Sequence, residues 1–247
     1  MVPMNLIFKK IHVYLYITSV AVFYLLMWPA FYYFSRKPSR YNNMSRLRRV
    51  WGFLSSAVVG FFYSFEYEQP IDWSKTYIVC PNHSSNLDIS AMAILVNNNC
   101  SFMGKEELKE GLVTGLFFRS IDIPVNRDSN ISAFRAFKKA AEKLKEGITM
   151  IIFPEGKIGD EYPPILHQFK NGPFRLAIEL KVPIIPVSSV NTWKMLWDDG
   201  TKYGTRPGIC NIYVHTPIQT ANLTLDDADD LRNEVYKTIT EKLTQST

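Results

Sequence analysis

Cysteine is scarce in this 247-residue chain. The three thiols, Cys80, Cys100 and Cys210, are odd in number and show no CxxC spacing, which argues against a disulfide framework or a thiolate zinc site and fits a reducing compartment. Histidine is equally sparse. His12, His83, His167 and His215 lie far apart in sequence and none sits in an HExxH pattern, so no metal is expected. The GxSxG nucleophile elbow is also missing, which counts against a covalent serine-hydrolase route. Acidic residues are absent from the stretch SRKPSRYNNMSRLRR, which carries Arg36, Lys37, Arg40, Arg46, Arg48 and Arg49.

A hydrophobic fraction of 47% is ample for a buried core. The net charge of +5 and pI near 9.0 suggest an anionic partner, and nucleic acid, acidic phospholipid and phosphorylated small molecules all fit that description.

From Ile11 to Phe34 there are 24 residues without Asp, Glu, Lys or Arg. As a helix this run would be about 36 Å long, against a hydrocarbon core of roughly 30 Å. It is too long for a signal-peptide h-region and no A-x-A site follows, so the segment is expected to stay attached. A second uncharged run, Val50 to Phe65, is too short to cross a bilayer as a helix without thinning it. The basic stretch between the two belongs at an anionic lipid surface. Aromatic residues crowd the first run along its whole length instead of collecting at its ends, which favours a two-helix hairpin dipped into one leaflet over a spanning helix. The flanking positive charge places it on the cytoplasmic side. Residues 1–66 are therefore expected to form a two-helix membrane-associating segment and residues 67–247 an α/β domain.

Beyond Tyr67 short β-prone runs alternate with helical periodicity. YIVC, SFMG, IDIPV, TMIIF, PIIPVSS and CNIYVH read as strands, while the run from Ile131 to Glu146, LDISAMAIL, and the segment from Asp226 to about Leu243 read as helices. Such alternation predicts a mostly parallel sheet with helices on both faces and ligands beyond the carboxyl ends of the strands.

NHSSNLD follows the first of these strands. Positions five apart on a helix point about 140° away from one another, so His83 and Asp88 meet only if Ser84, Ser85 and Asn86 make a turn. With Asp88 in the first turn of the following helix, its carboxylate can hold one imidazole tautomer and leave the other nitrogen to accept a proton from an alcohol. The pair alone is weak, since HxxxxD arises by chance in roughly one sequence of five. FPEGK at 153–157 changes the balance, because FPEG is expected by chance only about two times in a thousand chains of this length.

Together these blocks resemble the glycerolipid acyltransferase family, in particular 1-acylglycerol-3-phosphate acyltransferases of the PlsC type. NHSSNLD resembles the family's NHxxxxD, IDIPVNR its second block, FPEGK its FPEGTR, and VPIIPV its apolar fourth block, in the family's order. The resemblance implies His83 as general base oriented by Asp88, with Lys105, Arg127 and Lys157 toward the acceptor phosphate and no acyl-enzyme. Where the family has Thr-Arg after FPEG this chain has Lys157 and Ile158, so a point charge replaces a bidentate fork. Backbone N–H groups around Gly156 are the expected oxyanion donors, and Glu155 either meets substrate or braces its loop. The implied reaction moves an acyl group from acyl carrier protein or coenzyme A, a co-substrate and not a cofactor, to lysophosphatidic acid at the membrane bilayer, with no nucleic acid involved. Another lysolipid or glycerol 3-phosphate as acceptor, or a non-catalytic lipid-binding protein, are the alternatives.

Overall fold

The computed structural model describes residues 4–126 and 128–246. In chain order its elements are α1 (Met4–Ser35), α2 (Tyr41–Ala57), β1 (Phe61–Tyr67), β2 (Ile78–Pro81), α3 (Leu87–Leu95), β3 (Cys100–Lys105), α4 (Gly115–Phe118) and β4 (Ile123–Val125). There follow α5 (Asn130–Lys145), β5 (Thr149–Ile151), α6 (Gly172–Leu180), β6 (Ile184–Ser189), α7 (Thr192–Met195), β7 (Gly208–Val214) and α8 (Ala228–Gln245).

The seven strands form one sheet in the order β1-β7-β6-β2-β5-β3-β4. All neighbours pair in parallel except β6 with β7. One face is covered by α5, α6 and α8, whose Ala140, Phe174 and Val235 pack on Ile78, Met150 and Ile184. The other face carries α3, with Ala91 and Met92 against Val79, Ile151 and Ile185. Central strands buried on both faces read as continuous apolar runs, as IVC and II do here. The expected α/β class and the six strands from Tyr77 onward match this sheet, and Ser129 caps α5 by accepting from the Ser132 N–H.

The run Val50 to Phe65, expected as one short helix, divides instead. Helix α2 ends at Ala57 and β1 begins at Phe61, paired with β7 through all seven of its residues. Phe61, Tyr63 and Phe65 alternate inward on this edge strand, a period of two that the absence of charge concealed. The strand also runs across the 66/67 division expected from composition.

Helix α1 is long and apolar enough to cross a membrane by length and composition. One of its sides is packed against α2, β1 and α4 over most of its length. Tyr16 meets Phe61, Ser19 donates to the Ser55 carbonyl, Trp51 donates to the Val20 carbonyl, and Phe31 is buried beside Phe117. The other side exposes Ile11, Leu15, Val22, Leu25 and Leu26.

The basic stretch does not all face outward as expected. Arg48 is 5% exposed, and one of its amino groups donates to both Asp122 oxygens at 2.9 Å while the other donates to the Cys100 carbonyl. Arg49 donates to Asn97 and the Val96 carbonyl. Those two arginines dock α2 onto the start of β3, leaving Arg36, Lys37 and Arg46 exposed. Asp122 also accepts the Phe102 N–H at 2.9 Å, so the buried pair is tied to the backbone as well.

Removing one partner of such a pair strands a buried charge. Arg48→Met is expected to cost roughly 3–5 kcal/mol in denaturant unfolding in detergent, with Asp122→Asn in the same chain recovering much of it. Equal stability of the single variant and the wild type would show that the pair does not hold α2.

Candidate active site

The order of the sheet brings the sequence blocks together. Strands β2, β5, β3 and β4 are consecutive neighbours running the same way, so their carboxyl ends share one edge. NHSSNLD follows β2, FPEGK follows β5, Lys105 ends β3, and Asn126 follows β4. Arg127 lies outside the described residues.

Chain direction reverses between β2 and α3 because Ser84, Ser85 and Asn86 form the expected turn. The Asp88 N–H donates to the Ser85 carbonyl at 3.0 Å, and the Leu87 N–H donates to the Ser85 hydroxyl at 3.0 Å. Asp88 therefore sits in the first turn of α3 with its carboxylate directed back into the loop. Its Oδ2 accepts from the Ser84 and Ser85 N–H groups at 2.8 and 2.9 Å and lies 3.2 Å from His83 Nδ1. Its Oδ1 accepts from the Thr192 hydroxyl at 2.7 Å. Asp88 is 0% exposed, whereas 14% of the His83 side chain reaches the surface. A carboxylate beside Nδ1 keeps the proton on that nitrogen and leaves Nε2 as the lone-pair nitrogen, the arrangement a general base requires.

The imidazole is held from other sides too. Its ring stacks on Phe153 of the FPEGK block with centroids 4.0 Å apart. The His83 N–H donates to Glu155 Oε1 at 2.7 Å, and the His167 N–H donates to Glu155 Oε2 at 2.9 Å. Glu155, 5% exposed, thus clamps the two loops through its side chain. Burial pushes its carboxyl up from 4.5 to about 7, the two N–H donors pull the other way, and the charge of Asp88 adds to the rise. Asn82 joins β2 to β6, accepting from the Ser189 N–H at 2.7 Å and donating to the Ser189 carbonyl at 3.2 Å.

Gly156 takes φ +76°, a left-handed conformation that favours glycine. Its N–H donates to the Phe153 carbonyl at 3.1 Å, closing the turn. The donor expected at Gly156 for an oxyanion is thus engaged within the protein. Lys157 follows on the exposed side of this turn, and Lys105 is exposed at the end of β3. Asp198 senses both His83 and Lys105: burial and Asp199 push its carboxyl up while these two groups oppose the rise. Among nucleophiles, Cys80 is fully buried with its thiol pushed up by burial, Ser85 is fully buried, and Ser84 is 4% exposed. Among the described residues no three His, Cys, Asp or Glu side chains assemble into a metal-holding group.

Thr192 and Asp198 escaped the reading of the sequence. Asp198 takes φ +52°, exchanging backbone hydrogen bonds with the His83 turn: its N–H donates to the Ser84 carbonyl and its carbonyl accepts from the Asn86 N–H. Neither residue stands in a spacing that signals its role. Both come from a segment a hundred residues downstream.

The profile of the acyltransferase family matches residues 63–190. An uncharacterized acyltransferase of Schizosaccharomyces pombe is 32% identical over 183 residues, covering 73% of this chain and 65% of that protein. The 1-acyl-sn-glycerol-3-phosphate acyltransferase of Saccharomyces cerevisiae is 30% identical over 174 residues, covering 68% and 56%. The chain thus spans between about half and two thirds of the length of the curated relatives it matches. The crystal structure of PlsC, the 1-acyl-sn-glycerophosphate (LPA) acyltransferase from Thermotoga maritima, superimposes with a TM-score of 0.79 over 99% of this chain and 97% of that one. At 22% identity that likeness speaks for the fold. The order of the sheet, the blocks on its carboxyl edge and the profile match over more than half of the residues agree, and the chain belongs to the acyltransferase family.

Proposed function

We propose that this protein transfers a fatty acyl group from a thioester to the sn-2 hydroxyl of 1-acyl-sn-glycerol 3-phosphate, forming phosphatidic acid. The observation that carries the reading is the His83–Asp88 pair, with its carboxylate fixed on both oxygens and its imidazole partly open to solvent. Relatives named for this reaction on this acceptor support it.

His83 Nε2 takes the proton from the sn-2 hydroxyl as the oxygen attacks the thioester carbonyl. The tetrahedral intermediate collapses with cleavage of the carbon–sulfur bond, and the departing thiolate receives the proton from the imidazolium. Asp88 holds the ring and stabilises its charged form without taking the proton itself. The burial of Cys80, Ser84 and Ser85 supports direct transfer without an acyl-enzyme. Lys105 and Lys157, together with Arg127, are assigned to the acceptor phosphate; the first two are exposed cations on the edge that carries His83. Glu155 serves as the brace between the His83 turn and the loop reaching His167.

An apolar helix at the amino end fits membrane association. We assign the outward face of α1 to one leaflet on the cytoplasmic side, because its other face is committed to protein from Tyr16 to Phe31. A lysolipid could then present its headgroup without leaving the bilayer, and the exposed Arg36, Lys37 and Arg46 would draw anionic lipid toward the protein.

His83→Ala is expected to lower kcat at least about a hundredfold in acyl transfer assays while the protein still folds and binds vesicles. Thr192→Val, which deprives Asp88 of a donor, should lose about tenfold; transfer near the normal rate in the His83 variant defeats the mechanism. For Lys157→Ala, the KM for lysophosphatidic acid should rise about tenfold with the donor KM unchanged, and a selective loss for the donor would reverse the assignment of this lysine. Glu155 sets a stability trend. Because its folded-state value of about 7 lies above the ordinary 4.5, the folded state keeps a proton that the unfolded state has lost, so stability falls as pH rises between these values and levels off above them. The expected loss from this group is on the order of 3 kcal/mol, and Glu155→Gln should remove it. Thermal unfolding of both proteins in detergent at pH 5 and pH 8 measures the difference, and identical slopes would mean that Glu155 is not buried as a titrating acid.

A further inference from the structure

Next to the His83 turn is a hollow that the proposed chemistry leaves unused. It measures about 410 Å³, within the range of small-ligand sites, and lies between the start of α1 and the segment from Trp193 to Arg206. Four aromatic side chains build it. Tyr162 packs edge-on against Trp193 and Trp197 at 5.6 and 5.9 Å, and its ring lies 4.2 Å from that of Tyr203. Lys9, Lys194 and Arg206 also line it, and among the described lining residues there is no carboxylate. Lys202 sits over the rings of Trp197 and Tyr203 at 5.2 and 5.3 Å. Trp197 is 6% exposed, and its indole N–H meets no acceptor among the described residues. A buried donor without a partner is costly and marks a place where an acceptor from outside the chain would be gained.

We propose that this hollow holds the adenosine 3′,5′-bisphosphate end of a coenzyme A thioester. The inference rests on the acyl-transfer reading above and deepens it by naming the donor. Aromatic faces stack on a purine, the lysines and the arginine meet its phosphates, and the Trp197 N–H offers a hydrogen bond to a ring nitrogen or phosphate oxygen. Rings gathered around a concavity suit a flat heterocycle, whereas a bilayer anchor needs rings that protrude, and Trp197 does not.

The position agrees with that occupant. Asp198, the residue after Trp197, hydrogen-bonds through its backbone to Ser84 and Asn86, so the wall of the hollow is continuous with the turn that carries His83. Thr192, which holds Asp88, opens the same segment. A nucleotide seated among the aromatics leaves the pantetheine arm to pass Asp198 and deliver its thioester at the imidazole. An acyl carrier protein brings the same arm without a nucleotide and would leave the aromatic hollow unused.

The test uses the full chain in detergent, with Tyr203→Ala and Tyr162→Ala as variants. Tyr162 is 47% exposed, so its removal disturbs little of the core. Calorimetric titration with adenosine 3′,5′-bisphosphate should show binding to the wild type and at least about tenfold weaker binding to each variant. In acyl transfer, the KM for acyl-coenzyme A should rise about tenfold in both variants, while the KM for acyl-pantetheine, which lacks the nucleotide, and kcat stay unchanged. Failure of the wild type to bind the bisphosphate overturns the site, as does an equal rise in KM for both donors. Unchanged nucleotide affinity with weakened binding to phosphatidylglycerol vesicles would identify the aromatics as a membrane anchor and also overturn it. Absence of transfer from either donor in a wild type that binds the bisphosphate would instead sink the underlying acyl-transfer reading.

Discussion

A carboxylate with no access to water organises the site. Asp88 is fully buried, and an ion in that position persists only if donors replace its hydration. Among the described residues those donors are two turn amides, a threonine hydroxyl and the His83 ring nitrogen. Each therefore has its place dictated by the others. The two amides fix the Ser84–Ser85 turn, the turn fixes the start of α3, and the threonine brings the segment after β6 against the site. In a low-dielectric surrounding such a network resists displacement, because moving any donor exposes a charge to an apolar wall. The same rigidity orients the imidazole that we assign to proton transfer.

A buried ion pair elsewhere has a different task. Arg48 and Asp122 lock α2 to the amino-terminal end of β3, and α2 in turn packs on α1 and α3. The apolar surface of α1 is thus fixed relative to the sheet edge where His83, Lys105 and the FPEGK turn converge. A freely hinged helix would place lipid and imidazole at a variable distance. A docked one holds the outward apolar face of α1 in a set position relative to the site, which is what our proposal of an acceptor that keeps its chain in the bilayer calls for.

The sheet from Tyr77 onward was legible because its strands are short apolar runs separated by turn residues and helices. LDISAMAIL became a helix with those bounds. The His83–Asp88 contact was legible too, since three turn-forming residues between them supply the reversal that a helix would deny. Strand β1 was not, because FFYSFEY lies in a stretch whose lack of charge overshadowed its alternation. The inward course of Arg48 was hidden because its partner is 74 residues away and nothing near it in sequence reveals a buried carboxylate. Gly156 was read from the sequence as a place of oxyanion donors, but only the fold reveals that its own N–H closes a turn onto the Phe153 carbonyl.

The family, the class of fold, the pairing of an imidazole with a carboxylate, and an amino-terminal helix long and apolar enough to cross a membrane were all readable in the sequence. These follow from local periodicity and from motifs whose residues are close together in the chain. Only the tertiary structure decided which arginines are spent inside, that Thr192 and Asp198 complete the His83 turn, and that aromatic rings from two distant loops enclose a basic hollow beside it. Such juxtapositions depend on strand order and loop packing, and a one-dimensional pattern carries no record of which distant segments come to share a wall.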